Sequence, residues 1–188
     1  MDIVTDVSIC SNALTLIGVD GISSFLDETR EAAVAKSAYS VNKKTLLQVA
    51  EWRFSVRQEK LSLLEQQPLY DFEYAYQLPS DFLRFVGKQD NTTRHQIFQD
   101  KVYTNLKPVL ASFQYDIPEK FLPAYFITAF QYKLASLFSL SLKDDTQNAQ
   151  AFDGLYQEAL RTAKFIDSQN NTNSFIPSNS FSLILAKY

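Results

Sequence analysis

His95 and Cys10 are the one histidine and the one cysteine of this 188-residue chain. A cysteine nucleophile needs a depressed thiol pKa, from a nearby cation or a helix start. Cys10 lies in an apolar helical stretch and reads as core. His95 falls in a polar turn between strand-like runs and reads as a surface side chain. A zinc site built from several cysteines and histidines has no ligands here, and an intrachain disulfide is excluded. The four glycines, Gly18, Gly21, Gly87 and Gly154, are too scattered for a phosphate-cradling loop or a dinucleotide fingerprint. No G-x-S-x-G elbow positions a serine. Paired carboxylates across a glycosidic bond would make a cell-wall hydrolase. Asp71, Glu73 and Asp81 are the candidates, and their spacing singles none of them out. Asp144-Asp145 is explained more simply as a helix cap. Lys43, Lys44, Arg53 and Arg57 suggest a phosphate patch, but four cations among carboxylates are little for phosphate binding. Asn91-Thr92-Thr93 has the form of a glycosylation sequon without a secretory context.

The elements that would hold these groups follow from periodicity. Residues 4–19 predict a first helix, with Thr5 or Asp6 as its cap and Gly18 and Gly21 at its end. Asp27-Glu28-Thr29-Arg30-Glu31 predicts a second start, with acids placed for the helix dipole, and a helix running to Ala50. Residues 52–57 alternate apolar with polar and read as strand. Between Leu69 and Ile117, Pro, Gly and polar breaks separate short strands at about 72–78, 83–88, 95–99, 101–104 and 109–115. Asp90-Asn91 and Gln99-Asp100 are the expected turns. Pro118 opens a long helix to about Leu142, since its missing N–H costs nothing there. Of the 22 residues from Phe121 to Leu142, 15 are apolar. Gln131, Lys133 and three serines interrupt them, so a buried hub helix is expected and not a membrane span. A last helix runs from Thr146 to about Asp167 with an apolar stripe that includes Phe152, Leu155, Tyr156 and Ala159. From Ser168 the chain turns polar, with isolated Phe175, Ile176, Pro177 and Phe181, and then Leu183-Ile184-Leu185.

The expected fold is α+β, mainly α: a bundle of about four helices with an inserted small antiparallel β region and an extended C-terminal arm. Its segments are 1–66 (first helical part), 67–117 (β-rich insertion), 118–167 (second helical part) and 168–188 (arm). Net charge is −3, which disfavours a protein that wraps nucleic acid. Charge is uneven along the chain. Residues 1–31 carry six acids against one base, and residues 32–60 six bases against two acids. Ordinary solvated faces explain this, as would complementary surfaces between copies. Residues 1–20 hold three Asp and no base, so no secretory signal is expected.

Six patches together resemble one family, the tail tubular protein A, or head-to-tail adaptor, of short-tailed bacteriophages. They are Ile9-Cys10-Ser11-Asn12-Ala13-Leu14 with Leu16-Ile17-Gly18; Leu26 to Ala32 followed by Tyr39; and Trp52-Arg53-Phe54-Ser55 with Arg57. The fourth, Tyr74 to Arg84, is the most specific. The fifth is Leu155-Tyr156 to Ala159-Leu160, then Ala163, Asp167 and Gln169. The sixth is Pro177-Ser178 with Phe181. Val41-Asn42-Lys43-Lys44 departs from the family's usual acid–Arg pattern, and Phe181 stands where Trp is common. The resemblance implies a structural virion protein of the tail or neck, made in the host cytoplasm. It implies a dodecameric ring between the portal protein and the tail nozzle, a tail tubular protein B-like component. Double-stranded DNA would pass through that ring without specific binding, with no catalysis, no cofactor and no membrane. The portal-facing arm would present Phe175, Ile176, Pro177, Phe181, Leu183, Ile184 and Leu185. Candidate intersubunit charges are Asp27, Glu28, Arg30, Lys43, Lys44, Arg53 and Arg57.

Physics bears on this independently. A ring of identical chains needs two different complementary patches on each subunit. A conduit for DNA need not be basic, because walls that grip phosphate would slow transit. Two other readings stand beside the adaptor: a generic helical interaction or regulatory module, and a tail-associated cell-wall hydrolase.

Overall fold

The structure is a computed structural model that describes residues 4–66, 68, 71–86 and 94–169. The first helix, α1, spans Asp6–Leu16. Thr5 and Ser8 exchange hydrogen bonds as a capping box: Thr5 Oγ1 accepts from the Ser8 N–H, and the Thr5 N–H donates to Ser8 Oγ. At the other end Gly18 takes φ +70°. Its N–H donates to the Thr15 carbonyl, and that of Val19 to the Leu14 carbonyl. These two hydrogen bonds close the helix through a left-handed conformation that glycine adopts without a Cβ penalty.

The second helix, α2, spans Arg30–Gln48, capped by Thr29. Asp27 comes before it rather than opening it. Its carboxylate accepts the Ser23 and Ser24 N–H groups at 2.9 and 3.0 Å and shapes the preceding loop. Trp52 is buried; its indole N–H donates to the Leu46 carbonyl, and its ring meets Phe126 edge-on. The 52–57 alternation is only partly strand. Arg53–Ser55 is a 3-10 turn, and strand β1 begins after it at Val56–Lys60.

Six further strands follow: β2 Ser62–Leu63, β3 Tyr74–Gln77, β4 Phe82–Phe85, β5 His95–Phe98, β6 Lys101–Thr104 and β7 Leu110–Tyr115. The strand-rich part therefore opens at Val56, before the segment expected at 67–117. One sheet has the order β1-β7-β4 and the other β2-β3-β6-β5, all pairs antiparallel. Gln99-Asp100 forms the β5–β6 turn, with Gln99 at φ 56°. Asp90-Asn91 lies outside the described residues. The Tyr74–Arg84 patch is the crossing between sheets. It forms β3, turns at Pro79 and enters β4, with the Phe82 N–H donating to the Pro79 carbonyl.

Pro118 does not open the long helix. It precedes a 3-10 turn at Glu119–Phe121, and α3 spans Ala124–Lys143 with Pro123 as its cap. Pro123 holds Leu122 in extended geometry (ψ 127°), so α-helix cannot start before it. Asp144 then ends α3 in the left-handed region. Asp145 caps α4, Thr146–Gln169, by accepting the Asn148 N–H at 2.9 Å. The chain is thus mainly α, four helices and two small antiparallel sheets among the described residues. The hub expectation holds: Phe126, Phe130, Leu134, Ala135 and Phe138 of α3 are fully buried among α1, α2 and α4. A second, smaller core of Leu61, Tyr76, Leu78, Val102 and Phe113 lies in the strand-rich part, and Tyr115 packs against both. Among the described residues no helix is long and apolar enough to cross a membrane.

Candidate interaction surfaces

Of the groups that chemistry would need, Cys10 and Asp81 are committed to structure. Cys10 is fully buried, and burial, with Asp6 nearby, pushes its thiol up to about 12. His95 starts β5 and packs edge-on against Phe85. Asp81 forms a two-pronged pair with Arg57, both N···O distances 2.9 Å. Asp71 lies 3.8 Å from Arg94, and Glu73 is exposed on a loop. Among the described residues no group of three or more His, Cys, Asp and Glu could hold a metal ion.

The candidate intersubunit charges divide into two sets. Lys43 is buried on α2, and its ammonium lies 2.8 Å from both Asp116 and Glu119. Burial raises the Glu119 carboxyl, but the Lys43 ammonium and a hydrogen bond from the Tyr39 hydroxyl bring it below the ordinary range. Burial first, and then the same contact with Glu119, push the Tyr39 hydroxyl above its ordinary range. Arg57 lies over the Phe113 and Tyr115 rings, 5.0 and 4.7 Å from their centres, besides its pair with Asp81. Arg30 donates to the Ser141 carbonyl at 2.6 Å and pins the start of α2 to the end of α3. These three cations and Asp27 are engaged within the chain. For the cations sequence alone does not reveal this, because Asp116, Glu119, Asp81 and Ser141 lie far along the chain; the partners of Asp27 are local. Glu28, Arg53 and Lys44 keep exposed side chains, Lys44 at 3.9 Å from Asp116. The Arg53 N–H donates to buried Asp167, which also accepts the Tyr125 hydroxyl.

The arm residues Phe175, Ile176, Pro177, Phe181, Leu183, Ile184 and Leu185 lie outside the described residues; Ser168 and Gln169 belong to α4.

Some of the exposed apolar side chains fall in three parts of the described structure, while Val41, Val49, Ile97 and Phe98 are exposed elsewhere. Leu16, Leu26 and Leu140 belong to the bundle end where α1 and α3 finish and α2 begins. The link from Lys143 Nζ to the Ile17 carbonyl (2.8 Å) and that from Arg30 to Ser141 hold this end together. Leu63, Leu106 and Leu110 lie in the strand-rich part, where Leu110 pairs with Lys60 and Leu63 with Tyr76 across strands, and Leu110 is 78% exposed. The third place is a groove between α3 and α4. Sequence reading places Leu155 on the apolar stripe of the last helix, yet it is 43% exposed and lines this groove. The stripe is wider than the face α3 covers, and only the packing partner shows which part is left out. Phe121, grouped with the hub by sequence, is exposed on the 3-10 turn. The chain matches no family model and no curated protein.

Proposed function

We propose that this chain is the repeating subunit of a ring-shaped head-to-tail adaptor, seated between a portal and a tail nozzle and extending the DNA exit channel. The observation that carries the reading is the placement of exposed apolar side chains at unlike parts of the molecule. Leu16, Leu26 and Leu140 mark the helical end, and Leu63, Leu106 and Leu110 mark the strand-rich part. A spacer between two different neighbours needs two unlike contact regions, and a ring of identical chains needs non-equivalent patches on each subunit. The six-patch resemblance supports the same reading. In it, the helices pack side by side around the ring, the strands meet the nozzle, and residues 170–188 reach the portal. The duplex passes through without specific binding.

The test is mixing with the portal from the same phage, followed by negative-stain imaging and native mass measurement. A ring added to the portal with one adaptor per portal subunit is the expected result. A chain that stays monomeric and unbound in the presence of that portal overturns the reading.

A further inference from the structure

Two helical faces stay exposed among the described residues, and they are unlike. The outward face of α2 carries Ser37, Val41, Lys44 and Thr45, all exposed, Val41 at 66%. Ser37, Val41 and Thr45 are four residues apart and form one ridge ~12 Å long. The hydroxyls of this ridge are already bonded within their own helix. Ser37 Oγ donates to the Val34 carbonyl and Thr45 Oγ1 to the Val41 carbonyl, both at 2.9 Å. They can leave water and keep the bonds they donate. Lys44 stands beside the ridge, one turn from Val41, with half of its side chain exposed and its ammonium 3.9 Å from Asp116.

The groove between α3 and α4 is the counterpart. Tyr125 and Tyr132 line it from α3, and Leu155, Glu158 and Ala159 from α4. It holds about 340 Å³ and runs ~11 Å along α4, from Leu155 to Thr162. The lining is mixed: rings and aliphatic groups with one charged side chain, the exposed Glu158. Its hydroxyls are also bonded within the chain, that of Tyr125 to Asp167 at 2.8 Å and that of Thr128 to the Ala124 carbonyl at 3.1 Å. The cation on the neighbouring turn of α3, Lys133, is paired with Asp153 at 3.4 Å.

We propose that the α2 ridge of one copy of this chain seats in the α3–α4 groove of the next, with Val41 entering beside Leu155 and Lys44 facing Glu158. The charges are complementary, since the ridge brings a cation where the groove holds a carboxylate. The lengths match, and a ridge of residues four apart entering an interhelical groove is a common way for helices to pack. α2 and α4 both pack on α3, so one copy offers its ridge and its groove at the same time. The contact is heterologous and repeats from copy to copy. It sets the helical bundles side by side. The inference deepens the ring reading and rests on it for closure; the contact itself rests on the two faces.

The test is sedimentation velocity of the full chain without a portal, comparing wild type with Val41→Glu and Leu155→Glu. Both positions are exposed, and Glu suits a helix. Wild type is expected to associate as its concentration rises to ~1 mM, a weak pairwise contact that a closed ring multiplies. Each variant should stay monomeric over the same range. Equal amounts of the two variants, mixed, should give a dimer and nothing larger, because the intact ridge of one fits the intact groove of the other. A monomeric wild type, a variant that associates like wild type, or a mixture that stays monomeric overturns the proposal. Glu158→Lys should weaken association several-fold, and adding Lys44→Glu should restore it; a loss that is not restored overturns the charge pairing. Far-UV circular dichroism checks that each variant keeps its helices. A ring on the portal that neither variant disturbs overturns this contact and spares the adaptor reading. Association through these faces by a chain that ignores the portal does the reverse.

Discussion

The side chain of Gln114 is fully buried in β7, yet it serves the end of α2. Its Nε2 donates to the carbonyls of Leu47 and Ala50 at 3.1 and 2.8 Å and to Ser55 Oγ at 3.0 Å, while its oxygen accepts from Arg84. The last carbonyls of a helix have no partner within it. A strand residue thus completes the helix and joins the strand-rich part to the bundle. Gln114→Leu fills similar space but leaves those carbonyls without this donor. It should lower stability by about 2–3 kcal/mol, measured by urea unfolding. Lys43 and Glu119 give a pH-dependent counterpart. The Glu119 carboxyl lies below its ordinary range in the folded chain. Its ionised form therefore adds stability above the unfolded-state pKa of ~4.3, and that contribution is lost as pH falls through the folded value. Wild type should exceed Glu119→Gln in melting temperature at neutral pH, and the gap should close in acid. A gap that is constant from neutral pH into strong acid contradicts this account.

Each strand between 72 and 115 is bounded by residues that break the chain: Pro79, Gln99-Asp100 and Pro108. That is why β3 to β7 stand nearly where periodicity puts them. β1 was not legible as a whole. It carries Arg57, Glu59 and Lys60, charges that suit an edge strand facing water but hide a strand from a hydrophobicity reading. The start of α3 was not legible either, because Pro118 and Pro123 both suit a first turn and only the backbone between them decides. Of the candidate surfaces, the charge blocks were visible, but the pairing of Lys43 with Asp116 and of Arg57 with Asp81 was not. Sequence shows the sign of a side chain and not its partner across the fold. The Arg57–Asp81 pair makes its own prediction at this scale. It ties the edge strand β1 to the turn that enters β4. Asp81→Asn should destabilise by about 1 kcal/mol, as expected for a half-exposed two-pronged ion pair. The loss should nearly vanish in an Arg57→Met background, a double-mutant cycle read by thermal unfolding. Additive losses refute the clamp.

The two cores, which share Tyr115, and the Gln114 link join the bundle to the strand-rich part among the described residues. Deleting residues 170–188 should leave helix content near that of the whole chain by far-UV circular dichroism. If the proposed adaptor role holds, the same deletion should weaken binding to a portal, measured by co-sedimentation. Collapse of the fold would instead make that segment part of the core. The order of the elements has a further consequence. α1 and α2 each rest mainly on α3 and touch one another little. Yet α3 is separated from them by the whole strand-rich part, and it is the last of the three to be translated. As the protein leaves the ribosome, the first two helices emerge with Ile9, Leu14, Leu46 and Leu47 unburied, and the strands follow before the hub exists to close over them. Cover for α1 and α2 waits on synthesis of the helix that ends at Lys143, and any chain stalled earlier presents those residues to chaperones and proteases.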